Sequence, residues 1–159
     1  MRIVNTNDIE AMRWTSPKGR FRGAGIEISE ALGREPASTD IMKRHPFDVE
    51  ILRIEPGQTP YPYHAHSAQW EFYHVISGNG TLRHAEGTSA IAQGDAFLFE
   101  PHQPHQIVNS GDVDLVLYVV ADNPIGESAY FPDSEKWMVR IPQARLVRSE
   151  AIDYFDGEE

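Results

Sequence analysis

Residues 57–78 read GQTPYPYHAHSAQWEFYHVISG, and residues 94–109 read GDAFLFEPHQPHQIVN. The first stretch sets His64 and His66 two positions apart, with Glu71 five positions further on. In a strand, residues i and i+2 point to one face with their α-carbons roughly 6 to 7 Å apart, close enough for two imidazoles to meet on one ion. The odd separation from His66 to Glu71 would carry an unbroken strand's carboxylate to the opposite face. A break is therefore expected across Ser67-Ala68-Gln69. Glu71 then enters from the next strand with Tyr73 and Val75 beside it, while Phe72 and His74 face away. The second stretch supplies a fourth candidate, because His105 opens an apolar run directly after the turn-rich Glu100-Pro101-His102-Gln103-Pro104.

Working outward, turn signals recur at Pro56-Gly57, Gly78-Asn79-Gly80, Glu86-Gly87, Gly94-Asp95, Gly111-Asp112 and Asn123-Pro124. Between them lie short β-branched and aromatic runs: Val49 to Ile54, Gln69 to Ile76, Thr81 to His84, Thr88 to Ala92, Ala96 to Phe99, His105 to Asn109 and Val113 to Ala121. This rhythm predicts an all-β sandwich or barrel. Val113 to Ala121 is apolar on both faces, so both are expected to be covered, the second by another copy of the chain. Residues 1–47 read as an N-terminal arm packing on the barrel, with a strand only at Ala24 to Ser29. Residues 48–121 read as the barrel core. Residues 122–159 read as a C-terminal arm, with a loop from Asp122 to Lys136, short strands at Trp137 to Ile141 and Arg145 to Val147, and an acidic tail.

The two quoted stretches resemble the paired motifs of the cupin superfamily. The first matches through Gly57, His64-x-His66, Glu71 and Gly78, the second through Gly94, Asp95, Pro101, Pro104, His105 and Asn109. The resemblance covers residues 48–121. It implies a single-domain cupin with a double-stranded β-helix, or jelly-roll barrel, in which His64, His66, Glu71 and His105 bind one divalent metal ion. Glu100 and His102 depart from the pattern, which often has Pro and Gly there. A positive φ would suit His poorly, so that turn is expected to be reshaped. Phe131-Pro-Asp-Ser-Glu-Lys136 is similar to a Tyr-Pro-Asp-Ser-x-Lys segment of one poorly characterised branch of single-domain cupins.

Three imidazoles and one carboxylate leave positions open for substrate, the layout of a catalytic metal; Mn, Fe or Ni suit it, and Zn in purified protein. Six of the seven histidines fall between residues 64 and 105, and with no cysteine in the chain, thiolate sites, disulfides and cysteine nucleophiles are excluded. Tyr61, Tyr63, Trp70, Tyr73 and His102 are the candidate walls of a pocket. The expected function is a metal-dependent enzyme of dioxygenase or isomerase type acting on a small oxygenated metabolite. The alternative is a non-catalytic module binding a sugar or carboxylate. A net charge of −10, from 24 acidic and 14 basic residues, argues against nucleic-acid and membrane partners. No stretch has the length of a signal peptide core or a membrane span. The reading is a cytoplasmic homodimer.

Overall fold

Strands form where β-branched and aromatic residues alternate with polar ones, since one face of each must enter a core. The computed structural model describes residues 1–140 and 144–158. In chain order it runs β1 (Met12–Thr15), β2 (Arg22–Glu27), the single helical turns α1 (Ile28–Ala31) and α2 (Ile41–Arg44), β3 (Phe47–Ile54), β4 (Ala65–His66) and β5 (Glu71–Ser77). There follow β6 (Asn79–His84), β7 (Gly87–Ala92), β8 (Ala96–Phe99), β9 (His105–Val108), β10 (Leu115–Asp122), β11 (Ser128–Phe131), β12 (Lys136–Val139) and β13 (Arg145–Val147). The protein is predominantly β, with only single helical turns between its strands.

Three sheets build it, in the orders β1-β2-β3-β10-β5-β8, β13-β12-β11-β4 and β7-β6-β9. The core lies between the first and the last, where Leu52, Ile54, Val75, Leu115 and Leu117 meet Leu82, Ile91 and Ile107. Each such side chain contributes roughly 1.5–3 kcal/mol through burial. Along β5 the alternation is clear: Tyr73 and Val75 are 6% and 0% exposed, Phe72 and Ile76 each 39%. The turn into β6 depends on Gly78, whose φ is +82° and whose missing Cβ would stand 2.5 Å from the Asp114 carbonyl oxygen. No other residue fits two backbones passing that closely.

Several local expectations need correction. Segment 122–136 is not one loop, because Ser128–Phe131 pairs with β4 and β12; the neighbouring Pro, Gly and Asp hide this short strand. The strand expected at Ala24 to Ser29 ends at Glu27, and Ser29 lies in α1. The arm also contributes β1, whose short Met-Arg-Trp-Thr gave no strand signal; β2 joins it to the β3 edge. Of the strand expected at Trp137 to Ile141, Ile141 lies outside the described residues. β10 is covered on one face within the chain: Leu115, Leu117 and Val119 point inward, whereas Tyr118 on the other face is 36% exposed. Among the described residues no helix is long and apolar enough to cross a membrane.

Candidate metal centre

Each of the three sheets delivers part of the site. His64 and His105 form a two-residue antiparallel bridge at the start of β9, His64 N–H donating to the His105 carbonyl (3.1 Å) and His105 N–H to that of His64 (2.8 Å). His66 lies on β4 opposite Ala129, and Glu71 opens β5 between Ala121 and Phe99. Between His66 and Glu71 the chain changes sheets. The interruption demanded by parity is thus a passage from β4 to β5.

That passage is held by Glu127, which is 2% exposed. Its Oε1 accepts from the Ser67 amide (2.9 Å) and its Oε2 from the Ala68 amide (3.0 Å), while His66 Nδ1 lies 3.2 Å from Oε1. Burial works to raise the Glu127 carboxyl, but the hydrogen bonds from His66 and the two amides outweigh it and hold it below the usual range. His64 Nδ1 lies 2.8 Å from the Pro62 carbonyl, and His105 Nδ1 lies 3.0 Å from that of Gln103. A carbonyl can only accept, so these Nδ1 atoms carry the proton and the Nε2 lone pairs are free. All three imidazoles are tied outward at Nδ1, as metal-binding histidines are.

The ligand atoms of His64, His66 and Glu71 lie within 4.8 Å of one another, a set that could hold a metal ion. His105 meets it through Glu71: its Nε2 is 2.9 Å from Glu71 Oε2, while its ring centroid stands 6.3 Å from that of His66. Although buried, Glu71 Oε2 and His105 Nε2 have no hydrogen-bond partner of good geometry. Two buried polar atoms facing each other without a bond fit a cation between them. Burial pushes the Glu71 carboxyl up, but the close approach of the His105, His66 and His64 imidazoles draws it down to about 2. Burial first, and then the charge of His105, lowers His64 to about 4, so its ring is neutral at neutral pH. Phe99 stacks on His105 at 3.9 Å between centroids and fixes the ring plane.

A cavity of about 580 Å³ opens from these residues. Tyr61 and Tyr73 line it, as do His64, His66 and Glu71; Tyr63, Trp70 and His102 are not among its lining residues. Tyr63 is buried beneath Arg83, whose guanidinium carbon stands 3.8 Å above the ring centroid. Trp70 is 42% exposed. His102 adopts the positive φ of +70° after all, and its amide donates to the His66 carbonyl (2.7 Å). The turn is kept and His102 bears the strain. Arg83 also makes a two-point ion pair with Asp133 (2.7 and 2.8 Å), which pins the segment that carries the cavity-lining Phe131 and Lys136. On the far wall stand Glu27, Asp48 and Glu50, none of which the sequence singles out.

Residues 50–121 match the family model of the cupin domain. The chain carries a cupin domain. An oxalate-binding protein of Thermotoga maritima is 24% identical to the chain over 119 residues, 74% of this chain and 91% of that protein. A provisionally named sugar phosphate isomerase of Acidithiobacillus ferrooxidans superposes with a TM-score of 0.78 at 22% identity, over 92% of either chain. A sugar phosphate isomerase of the cupin superfamily from Silicibacter pomeroyi gives 0.77 at 22% identity, over 96% of this chain and 98% of its own. These structural likenesses speak for the fold. They extend the similarity beyond the cupin domain to nearly all of the N- and C-terminal segments.

Proposed function

We propose that this cupin is a metal-dependent enzyme acting on a small oxygenated metabolite, with His64, His66, Glu71 and His105 holding one divalent ion. Mn, Fe, Ni or Zn suits three imidazole nitrogens and one carboxylate. The observation that carries the reading is the shared orientation of the three histidines, each engaged at Nδ1 by an acceptor outside the site. Their Nε2 atoms are left for a ligand, and His64 and His66 line one end of a cavity of metabolite size. When bound, the ion supplies Lewis-acid polarisation of substrate oxygens, or a place for dioxygen. The chain itself supplies enclosure and orientation: Tyr61, Phe131 and Met138 wall the cavity, and Lys136 and Arg140 give it a basic rim. Of the isomerase and dioxygenase readings, the acidic far wall supports the isomerase, since isomerisation needs a group that moves a proton. The names of the two structural relatives point the same way.

The decisive experiment combines metal analysis with turnover. Wild-type protein should carry about one ion per chain and lose it on combined His66→Ala and His105→Ala substitution. Metal-replete protein should then turn over at least one member of a panel of diols, β-diketones, hydroxy acids and sugars under air or nitrogen. A stoichiometric ion retained by the double variant would sink the ligand set.

A second reading, a binding module for a carboxylate or sugar without chemistry, draws on the name of the Thermotoga maritima relative. Thermal stabilisation by oxalate with no turnover of any panel member would favour it. We further propose a homodimer formed through the outer face around Phe72, Ile76, Leu98 and Tyr118, all at least 36% exposed. Light scattering tests this directly, and a monomer would refute it. The cysteine-free composition supports a cytoplasmic setting.

A further inference from the structure

Across the cavity from the imidazoles, β2 and β3 place Glu27 opposite Glu50 in register, and both residues line the cavity. Gly25 lies on the same face two residues earlier. A Cβ there would stand 2.6 Å from Glu27 Oε1 and 3.1 Å from Glu50 Oε2, so the two carboxyl oxygens converge over bare glycine backbone. The neighbouring cation offsets them only in part, because Arg34 Nη1 is engaged by Glu30 (2.7 Å) and Asp48 (2.9 Å) and its Nη2 by Asn123 (3.0 Å). Two carboxyls converging without a cation of their own retain one proton between them. Burial raises Glu50 to about 8, with Glu27, Asp48, Glu71 and Glu30 adding to it by charge. Glu27 rises to about 7 for the same first reason, with the charges of Glu30 and Asp48 and a side-chain hydrogen bond with Glu30 adding and Arg34 opposing.

A separate feature marks the same cavity as a ligand site: Glu71, which lines its other end, has a buried Oε2 without a hydrogen-bond partner, 2.9 Å from the equally unpartnered His105 Nε2. Between the two ends the floor is β10, where Val119 pairs with both Glu50 and Tyr73, and Ala121 with both Asp48 and Glu71. These small side chains leave the space open. Two strand spacings, roughly 10 Å, separate the strands bearing Glu50 and Glu71.

We propose that Glu50, sharing a proton with Glu27, is the proton-transfer residue of this cavity, acting on an α-hydroxy carbonyl compound. This rests on the enzymatic reading above. One carboxyl of the pair is ionised at neutral pH and takes the proton from the hydroxyl-bearing carbon. The electrons of that C–H bond form the C=C of an enediolate, and the carbonyl π electrons move to oxygen. The carboxyl then returns the proton to the former carbonyl carbon, and the remaining hydroxyl proton passes to the former carbonyl oxygen. Atoms and electrons balance without an oxidant. Glu27 is the positioning residue: it holds the proton that the pair shares, which leaves Glu50 ionised to receive the substrate's proton.

The test uses full-length, metal-loaded protein in deuterated water with glyceraldehyde and dihydroxyacetone, each free and as the phosphate ester. Proton NMR reads loss of the C–H signal next to the carbonyl. Wild-type protein should exchange at least one probe. Glu50→Gln should slow this at least 100-fold with unchanged metal content, and Glu27→Gln should move the pH midpoint of exchange downward. In metal-free protein, ¹³C NMR of labelled glutamates should show a carboxyl titrating well above the ordinary range, absent in Glu50→Gln. Undiminished exchange in Glu50→Gln, or no such titration, overturns the assignment and leaves the metal reading standing. Wild-type protein that binds no metal overturns that reading instead, while the titration still decides whether the pair holds its proton.

Discussion

Glu127 Oε1 lies 3.2 Å from His66 Nδ1 and on the same atom receives the Ser67 amide at 2.9 Å. One buried carboxylate therefore orients an imidazole of the site and closes the break in the strand that makes the site possible. Its neutral isostere should separate the two roles. Glu127→Gln presents an NH₂ where an amide or imidazole N–H also donates. The unpaired donor should cost about 1–3 kcal/mol in denaturant unfolding. Metal affinity should fall by roughly 10–100-fold, as when such supporting carboxylates are lost elsewhere. Unchanged affinity in a folded variant would show that His66 needs no orienting partner.

His102 sits at φ +70° to set its amide on the His66 carbonyl. Left-handed backbone costs an L residue with a Cβ about 1 kcal/mol, and glycine avoids that cost. His102→Gly should be neutral or stabilising by up to about 1 kcal/mol and leave metal content untouched. Lost metal would mean that the imidazole of His102 takes part in the site.

The Glu50 carboxyl, raised to about 8 by burial and its acidic neighbours, gives a stability signature of its own. The folded state binds this proton more tightly than the unfolded state, so stability falls as pH rises from the ordinary carboxyl range to about 8. Above that it levels off. Glu50→Gln should flatten the slope and gain on the order of 2–4 kcal/mol at pH 8 relative to its effect at pH 4. Parallel unfolding curves for wild type and variant across that window would refute the raised carboxyl.

Arg83 joins Tyr63 at 3.8 Å to Asp133 at 2.7 and 2.8 Å. The pair is surface-exposed, so its contribution is modest, but it anchors the turn between β11 and β12. Arg83→Ala should raise amide hydrogen exchange across Phe131 to Lys136 by roughly fivefold, equivalent to about 1 kcal/mol. Exchange elsewhere in the barrel should not change.

What the sequence disclosed of the site follows how each residue signals. His64 and His66 announce themselves through a two-residue spacing, and Glu71 through an odd one, because the period of a strand is fixed by its backbone. His105 is visible as the opening of an apolar run. Glu127 has no such signature: it follows Asn123-Pro124-Ile125-Gly126, reads as loop, and reaches His66 only because β11 pairs with β4. Glu50 and Glu27 look like the solvent-facing members of alternating strands. They face inward because the sheet continues past β3 and its concave side encloses a cavity rather than packed side chains. Tyr63 and Trp70 show the converse, aromatic neighbours of the ligands in sequence that the backbone turns elsewhere. The barrel was legible from turn spacing, whereas β1 and β11 are short runs with little β-branched character, flanked by turn-forming residues, and did not rise above their surroundings.

The assembly of the site from three sheets has a mechanical corollary. His64 and His105 meet at the edge of one sheet, His66 belongs to a second and Glu71 to a third. An ion bound there would act as a rivet, closing a loop between residues far apart along the chain and narrowing the conformations open to the unfolded polypeptide. Chelation would then loosen the seam where the sheets abut, and the loaded protein would come apart more slowly and in fewer independent pieces than the stripped one.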